Sequence, residues 1–417
     1  MSRNIVVLGG GASGMCAAIY AARNGAEVTI IEKNTLLGKK LSMTGNGRCN
    51  LSNLDMNEKM YNKAAEKRMK QWLSVYGVLD VISFFKSLGI VIKSEDGYLY
   101  PVSGQASTVV TAFENELKRL GVKVIYGEQA KSINGAGQKT NGDIADNTEK
   151  YIVTTNSSQY KADRVIIATG GLAGAKSTMS TGDGYYICKK LGLDIKDTHP
   201  ALVGFKCDPE QIMPETGVRS TAEISFYLGN ELLAKEYGEL QFNKEGISGI
   251  PVMQASGKIV RYLEEKKPVF ASINFFPDYD DEDFLSLEKE MLRLRDDRTL
   301  SDFLNGFHNK AINDMIIARM KMGRTMKMKN ISESMVLSIF DNYRNLKVKL
   351  SQSYGYQSAQ VTSGGVSLGC IRDDMTVNSH DGIFVVGELL DVDGRCGGYN
   401  LQWAFTSGSI AGTVASL

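Results

Sequence analysis

The stretch that most constrains this chain is its beginning, NIVVLGGGASGMCAAIYAARNGAEVTIIEK, residues 4–33. Residues 4–8 form a continuous aliphatic run, as in a strand buried on both faces of a parallel sheet, where no alternation is needed. Gly9–Gly14 breaks the run with the spacing G-x-G-x-x-G. The Ala-rich segment after it reads as a helix closed by Gly25, and AEVTIIEK reads as a second buried strand. Strand, glycine turn, helix and strand within about thirty residues make one βαβ unit.

In that context each glycine has a physical task. Gly9 permits the tight turn, Gly11 lets the backbone approach a pyrophosphate, and Gly14 lets the helix pack on the strand. The helix N-terminus, with Ala12 and Ser13, presents free N–H groups and positive partial charge to phosphate. Glu32 ends the second strand about twenty residues on, where a carboxylate accepts hydrogen bonds from ribose hydroxyls and disfavours a 2′-phosphate. The unit therefore reads as a dinucleotide site, and not one for NADP.

Further along, residues 58–120 read as mainly helical, with glycine C-cap signals after VLDVISFFKSLG and VVTAFENELKRLG. VKVIYG and YIVTTN read as strands, and the polar, glycine-rich stretch 135–150 between them as an exposed loop or hairpin tip. ADRVIIATGG is another buried strand running into a glycine turn. After TGDGYYICKKLGLDI the style changes: short strand-like runs fill 198–245, and helices are expected at 252–265 and 281–345 with one strand, PVFASINFF, between them. The Met-rich MIIARMKMGRTMKMKN reads as a loosely packed helix core with a solvated basic face. From residue 359 the glycine-rich style returns, with a strand and turn at GIFVVGELLD and a helix opened by glycines at GGYNLQWAF. The expectation is a discontinuous domain, 1–194 with 358–417, a β-rich insertion at 195–250 with 345–357, and a mainly helical subdomain at 251–344.

Three features favour FAD over NAD as the dinucleotide. ATGG (Ala168–Gly171) follows a strand well downstream, like the second glycine turn of flavoproteins of the glutathione-reductase superfamily. Gly387 and Glu388 resemble the G-D element that holds the ribityl chain there. A helix begins just after, so its N-terminus can stabilise negative charge growing at a flavin N1/C2=O edge on reduction.

The segments VLGGGASGMCAAIYAARNGAEVTIIEKNTLLGKKLSMTGNGRCNLSN, QVTSGGVSLGCI and GIFVVGELLDVDGRCGGYNLQWAFTSGSIAG together resemble the family of NAD(P)/FAD-dependent flavoproteins that includes the BaiN-type bile-acid reductases and the aminoacetone oxidases. TGDGYYICKKLG, HPALVGF and GISGIPVMQAS match further landmarks, so the resemblance spans nearly the whole chain. It implies an α/β fold: a Rossmann-like FAD-binding domain (GR2-type) with an inserted β-rich domain and a small helical domain. It also implies tightly bound, non-covalent FAD. The cofactor-contacting set it points to is Gly9, Gly11, Ala12, Ser13, Gly14, Glu32, Lys33, Lys40, Gly45, Asn46, Arg48, Cys49, Asn50, Ala130, Thr169, Gly170, Gly171, Gly387, Glu388, Asp393, Gly398, Asn400 and Leu401.

The likeness places TGNGRCN beside the flavin, and its residues suit that place. Gly45 and Gly47 let the backbone pass close to a flat ring, Arg48 can offset phosphate or reduced-flavin charge, and Asn46 and Asn50 offer donors and acceptors. Cys49 has no cysteine or histidine partner nearby in sequence and reads as a small buried hydrophobe. Of three histidines, His380 reads as a structural turn residue, His308 as a surface residue, and His199 as a candidate acid or base. Arg48 and Tyr399 complete the catalytic candidates.

No second G-x-G-x-x-G occurs, so NADH or NADPH, if used, is expected to dock transiently. Two oxidoreductase readings follow: NAD(P)H-dependent reduction of an enone such as a dehydro-steroid, and oxygen-dependent oxidation of a small amine such as aminoacetone. A third is a non-enzymatic, RNA-associated flavin-binding protein, favoured only by the basic segment 319–329. A formal net charge of +1 gives no support to a nucleic-acid partner, so a small-molecule substrate is expected. Six widely spaced cysteines and the lack of a membrane-length apolar run point to a cytoplasmic protein without membrane attachment; monomer and homodimer both stay open.

Overall fold

The computed structural model describes residues 2–135 and 150–417. The glycine-rich stretch expected as an exposed loop lies, apart from its end residues, outside them. The chain divides into two compact units, Met1–His199 with Gln360–Leu417, and Pro200–Ala359. Among the described residues no helix is long and apolar enough to cross a membrane.

The first unit is built on a six-stranded Rossmann-type sheet. Its order is Thr376–Val377, His380–Val385, Arg164–Ile167, Asn4–Leu8 (β1), Glu27–Glu32 (β2) and Lys123–Tyr126. All pairings are parallel except the short edge strand Thr376–Val377. β1 lies at the centre, with Val6 opposite both Val165 and Thr29. Its residues Ile5–Leu8 are buried without alternation, because both sheet faces are covered.

The first helix (α1, Ala12–Arg23) and the C-terminal helix (Tyr399–Ser416) pack through small residues. A Cβ on Gly408 would stand 2.5 Å from the Ser13 carbonyl oxygen, and one on Gly412 2.2 Å from that of Ala17. Backbone meets backbone, so neither position accepts a side chain without separating the helices. The polar groups this helix buries are answered: Gln402 accepts from Ser52 Oγ at 2.6 Å, and Thr406 Oγ1 donates to the Tyr76 carbonyl at 2.9 Å.

The helix Ala106–Arg119 is tied to the end of α1 by a carboxylate between two guanidinium groups. Glu116 accepts from Arg23 Nη2 at 2.7 Å and from Arg119 Nε at 2.7 Å. Arg119 first, and then Arg23, draw its carboxyl down from the ordinary 4.5 to about 2 against the opposing effect of burial.

Inside the stretch expected to be helical, Ile92–Glu95 and Tyr98–Pro101 form a hairpin. The two-residue turn between them has Asp96 at φ 50° and Gly97 at φ 85°. Asp-Gly adopts that left-handed pair readily, and its twist matches that of the strands it joins. Ser52–Asn53 adds a third strand against Tyr98–Leu99.

The second unit is a closed six-stranded barrel with helices. Phe205–Cys207, Gly246–Gly249, Glu231–Asn243, Arg219–Leu228, Val269–Asn274 and Leu346–Ser353 follow one another round it. Ser220, Ala222, Ile224 and Phe226 alternate inward on one strand, with Ile273 and Val348 buried on the next two. Val269–Asn274, the lone strand in the largely helical middle of the insertion, is thus a barrel strand. Of the helices Asp281–Arg293, Leu300–Leu304, Lys310–Arg319 and Glu333–Arg344, the first and last meet through aromatic contacts among Phe276, Phe284, Phe307, Phe340 and Tyr343. In the Met-rich stretch, Met315 and Met328 reach that unit's core, whereas Met326 stays exposed.

The Glu116 arrangement generates a signed expectation. A carboxyl whose titration is depressed in the folded state adds stability above its ordinary value and loses it as pH falls through the folded one. At pH 7, Glu116→Gln destabilises the protein by about 1–3 kcal/mol. The difference from wild type, measured by urea unfolding, closes as pH falls from about 4.5 towards 2.

Candidate functional site

The site begins where β1 ends. Gly9 sits at φ 103°, and a Cβ on it would lie 2.5 Å from the Ala168 carbonyl oxygen of the neighbouring strand's loop. Gly14 has no room either: its Cβ would stand 2.0 Å from the Gly9 carbonyl. Gly11 is different. It caps α1 in extended conformation, and a Cβ there would meet nothing within 4 Å. No side chain caps the N-terminus of α1. Ala12 and Ser13 form its first turn, whose N–H groups have no acceptor within the helix and stand at its positive end.

Three other loops meet this turn. Gly170, at φ 71°, has nothing within 4 Å of its would-be Cβ, so it lines the same kind of open surface as Gly11. A Cβ on Gly171 would stand 2.4 Å from Thr362 Oγ1 and 2.7 Å from Glu388 Oε1. Gly387, at φ 70°, lies against Ser13 Oγ and is fixed from behind, its N–H donating to Ser407 Oγ and its carbonyl accepting from Trp403 Nε1, both at 3.0 Å. Thr362 Oγ1 accepts from Leu172 N at 2.8 Å and Ala173 N at 3.1 Å, joining the QVTSGG segment to the ATGG loop. Thr169 lies at the head of that loop with its buried Oγ1 unpartnered. A Cβ on Gly184 would fall 1.9 Å from it.

Glu32 is buried at 7% exposure at the end of β2. Its Oε2 accepts from Gly10 N at 2.7 Å and its Oε1 from Asn34 N at 2.8 Å. The cations expected to face a dinucleotide each have an acidic partner. Lys33 Nζ pairs with Asp183 at 2.6 Å, Lys40 pairs with Glu388, and Arg48 pairs with Glu95 and lies over the Tyr100 ring at 4.2 Å. Glu388 is committed on both oxygens, to Lys40 and to Thr362 N at 2.9 Å.

TGNGRCN is a wound loop. Gly45, Asn46, Gly47 and Cys49 all have positive φ, from 55° to 81°, with Gly45 and Asn46 forming a kink in the short helical stretch Leu41–Gly47. Asn46 is exposed, and Cys49 is buried with its N–H on the Thr44 carbonyl at 3.0 Å. Burial pushes the Cys49 thiol up to about 12, so it is neutral at physiological pH. Asn50 donates to the carbonyls of Leu99 and Ser52 and accepts from Gly398 N at 3.2 Å. That bond joins the loop to the cap of the C-terminal helix. Gly398, at φ 94°, leaves no space for a Cβ beside the Ser52 backbone at 2.6 Å. Asn400 in the first turn exchanges hydrogen bonds with the N–H and carbonyl of Gly394, at 2.8 and 2.9 Å, beside half-buried Leu401.

Asp393 accepts from Asn62 Nδ2 at 2.9 Å, and Ala130 opens a strand of a separate three-stranded sheet. Tyr399 is buried at 6% exposure, its hydroxyl on the Asp55 carbonyl at 3.2 Å and its own carbonyl held by Tyr61, so it packs rather than presents a free phenol. His199 is half-exposed in the strand Ile195–Ala201, at the end of the first unit's N-terminal segment. His308 is not a surface residue: its Nε2 stands 2.8 Å from Ser220 Oγ, and burial lowers its pKa. His380, at the start of its strand, bonds Ser379 Oγ at 2.8 Å.

Asn34, Thr362 and the hairpin residues Glu95 and Tyr100 organise the site without having been singled out from sequence. Only the hairpin carried a local signal, the Asp-Gly pair. The open surfaces at Gly11 and Gly170, the bare helix end and the buried acid fit a dinucleotide: they offer backbone donors for phosphate and an acceptor for ribose.

The family model described as the HI0933-like protein Rossmann domain matches residues 3–414. A 3-dehydro-bile acid delta(4,6)-reductase of Clostridium scindens is 34% identical over 99% of this chain and 98% of its own. A ribosomal RNA dihydrouridine synthase of Haemophilus influenzae is 28% identical over 97% of this chain and 96% of its own. Among solved structures, a 3-ketosteroid-delta4-(5alpha)-dehydrogenase from Rhodococcus jostii RHA1 shares the fold with a TM-score of 0.52 at 14% identity, covering 100% of this chain and 97% of that one.

Burial divides the thiols. Cys16, Cys49, Cys188 and Cys207 are buried, and Cys370 and Cys396 are half-buried. Desolvation pushes Cys49, Cys188 and Cys207 up to about 12, and Cys16 higher still. A colorimetric disulfide reagent at pH 8 therefore titrates Cys370 and Cys396 in the native protein and all six thiols after unfolding. Prompt labelling of Cys49 in the native state would contradict the placement of TGNGRCN.

Proposed function

The chain belongs to the HI0933-like Rossmann family, and from that premise we propose that it is an FAD-dependent oxidoreductase that adds hydrogen across a carbon–carbon double bond conjugated with a carbonyl. The observation that carries the reading is the uncapped end of α1, open at Gly11 and shared with the Ala168–Gly171 and Gly387 loops. In this reading the N–H groups of Ala12 and Ser13 hold pyrophosphate, and Glu32 accepts from the AMP ribose. The loops at Gly45–Asn50 and Gly398–Leu401 border the ring. Bound flavin supplies a hydride from N5 to an electron-poor carbon.

The substrate class is supported by the two relatives' names. A delta(4,6)-reductase of a 3-dehydro-bile acid and a dihydrouridine synthase both saturate a C=C bond conjugated with a carbonyl. The reductase is the more similar, at 34% against 28% identity, so we assign a small enone rather than RNA. The basic segment is in keeping with that choice, because three of its side chains are engaged within the protein. Arg319 donates to the carbonyls of Ile212 and Lys347, Arg324 pairs with Asp314, and Lys329 with Asp297. NADH or NADPH is the proposed electron source, docking transiently.

The test is direct. Purified protein retains about one FAD per chain, and anaerobic NADH or NADPH bleaches it. A 3-oxo-4,6-diene acid then restores the oxidised spectrum. Bleaching by aminoacetone without nicotinamide would replace the reductase by an oxidase, and turnover only with uridine-containing RNA would replace the substrate. Glu32→Ala raises the FAD dissociation constant about 10- to 100-fold, as loss of a charge-assisted hydrogen bond predicts.

A further inference from the structure

Asn34, two residues past the acid, is 9% exposed and has one job that its surroundings define. Its Nδ2 donates to Glu32 Oε1 at 2.7 Å and points also towards the Thr178 carbonyl at 3.4 Å. Both neighbours are acceptors, so the amide orientation is settled chemically: nitrogen must face them. The Asn34 Oδ1 is therefore turned the other way, where it is buried and finds no donor. An unanswered buried carbonyl is costly, and a small or aliphatic side chain would fill the place without that cost. What only the amide brings is the hydrogen bond to Glu32.

The carboxylate itself needs that bond. Among the described residues Glu32 has no ion-pair partner, because Lys33 is turned to Asp183. Its buried charge rests on three neutral N–H groups: Gly10 N on Oε2, and the main-chain and side-chain nitrogens of Asn34 on Oε1. A carboxylate oxygen offers two lone pairs, so Oε1 is saturated and Oε2 keeps one free.

We propose that Asn34 is the positioning residue of the ribose-reading carboxylate, clamping Oε1 of Glu32 so that Oε2 carries the lone pair left for a ribose hydroxyl of the dinucleotide. The proposal rests on the reading of Gly9–Gly14 and Glu32 as an FAD site. Asn34 touches the cofactor only through Glu32.

The experiment is a double-mutant cycle on the apoprotein, with FAD affinity read from quenching of flavin fluorescence. Asn34→Ala weakens FAD about tenfold in the wild-type background. In Glu32→Ala protein the same change costs less than about twofold, because the group through which Asn34 acts is gone. Asn34→Asp, identical in shape, weakens FAD more than Asn34→Ala, since it sets carboxylate against carboxylate. An equal loss in both backgrounds, or an Asp variant that binds better than the Ala variant, makes Asn34 a space-filling residue and overturns the proposal. If circular dichroism shows that Asn34→Asp does not fold, Asn34→Ser takes its place. It is expected to bind as weakly as Asn34→Ala, and wild-type affinity in it also overturns the proposal. Wild-type apoprotein that takes up no FAD would instead overturn the FAD reading itself.

Discussion

The uncapped N-terminus of α1 exists only because backbone packs on backbone all around it. Gly14 lies on the Gly9 carbonyl, Gly9 on that of Ala168, and Gly408 and Gly412 lie on those of Ser13 and Ala17. Each is a contact where a methyl group would overlap an atom already there. Side chains that fill gaps can repack, but peptide planes in contact cannot, so the helix is held in direction as well as position. A helix end can act as a fixed partial charge only if it is immobile, and here the immobility comes from glycines far apart in the chain.

The electrostatic character of the site follows from the same economy of side chains. Lys33, Lys40 and Arg48, the cations expected from the sequence to face a dinucleotide, are each matched with an acid: Asp183, Glu388 and Glu95 in turn. These pairs tie loops to one another, and the amide groups between them are held in fixed geometry. Polar groups held this way need no reorganisation when an anion arrives, which is where preorganised dipoles outperform flexible charged chains.

Much of this was legible in residues 4–33, where strand, turn, helix and acid announce themselves by local pattern, and in the late strand and glycine-opened helix of residues 382–401. The hairpin at 92–101 was hidden behind helical neighbours, although its Asp96–Gly97 turn was in plain view. The partners of Arg48 and Glu388 were not legible at all. Glu95 and Thr362 reach them through tertiary contacts, 47 and 26 residues away in the chain, that no periodicity records. Tyr399 shows the converse: a residue in the first turn of a functional helix whose ring is needed for packing against Tyr61.

The interruption of the first unit has a consequence for how the protein is made. β1 precedes the barrel in the chain, yet its sheet is completed by His380–Val385, and α1 is backed by a helix that starts at Tyr399. The barrel residues 200–359 are synthesised between these parts and can close on themselves while the first unit is still missing an edge. Joining ends so far apart adds little to the entropy of closure, which grows only logarithmically with length, but it delays the event. The first unit is therefore begun ahead of the barrel and finished after it, and during synthesis the nascent chain can carry a closed barrel while the strand and helix that complete the glycine turn's own unit are still to come.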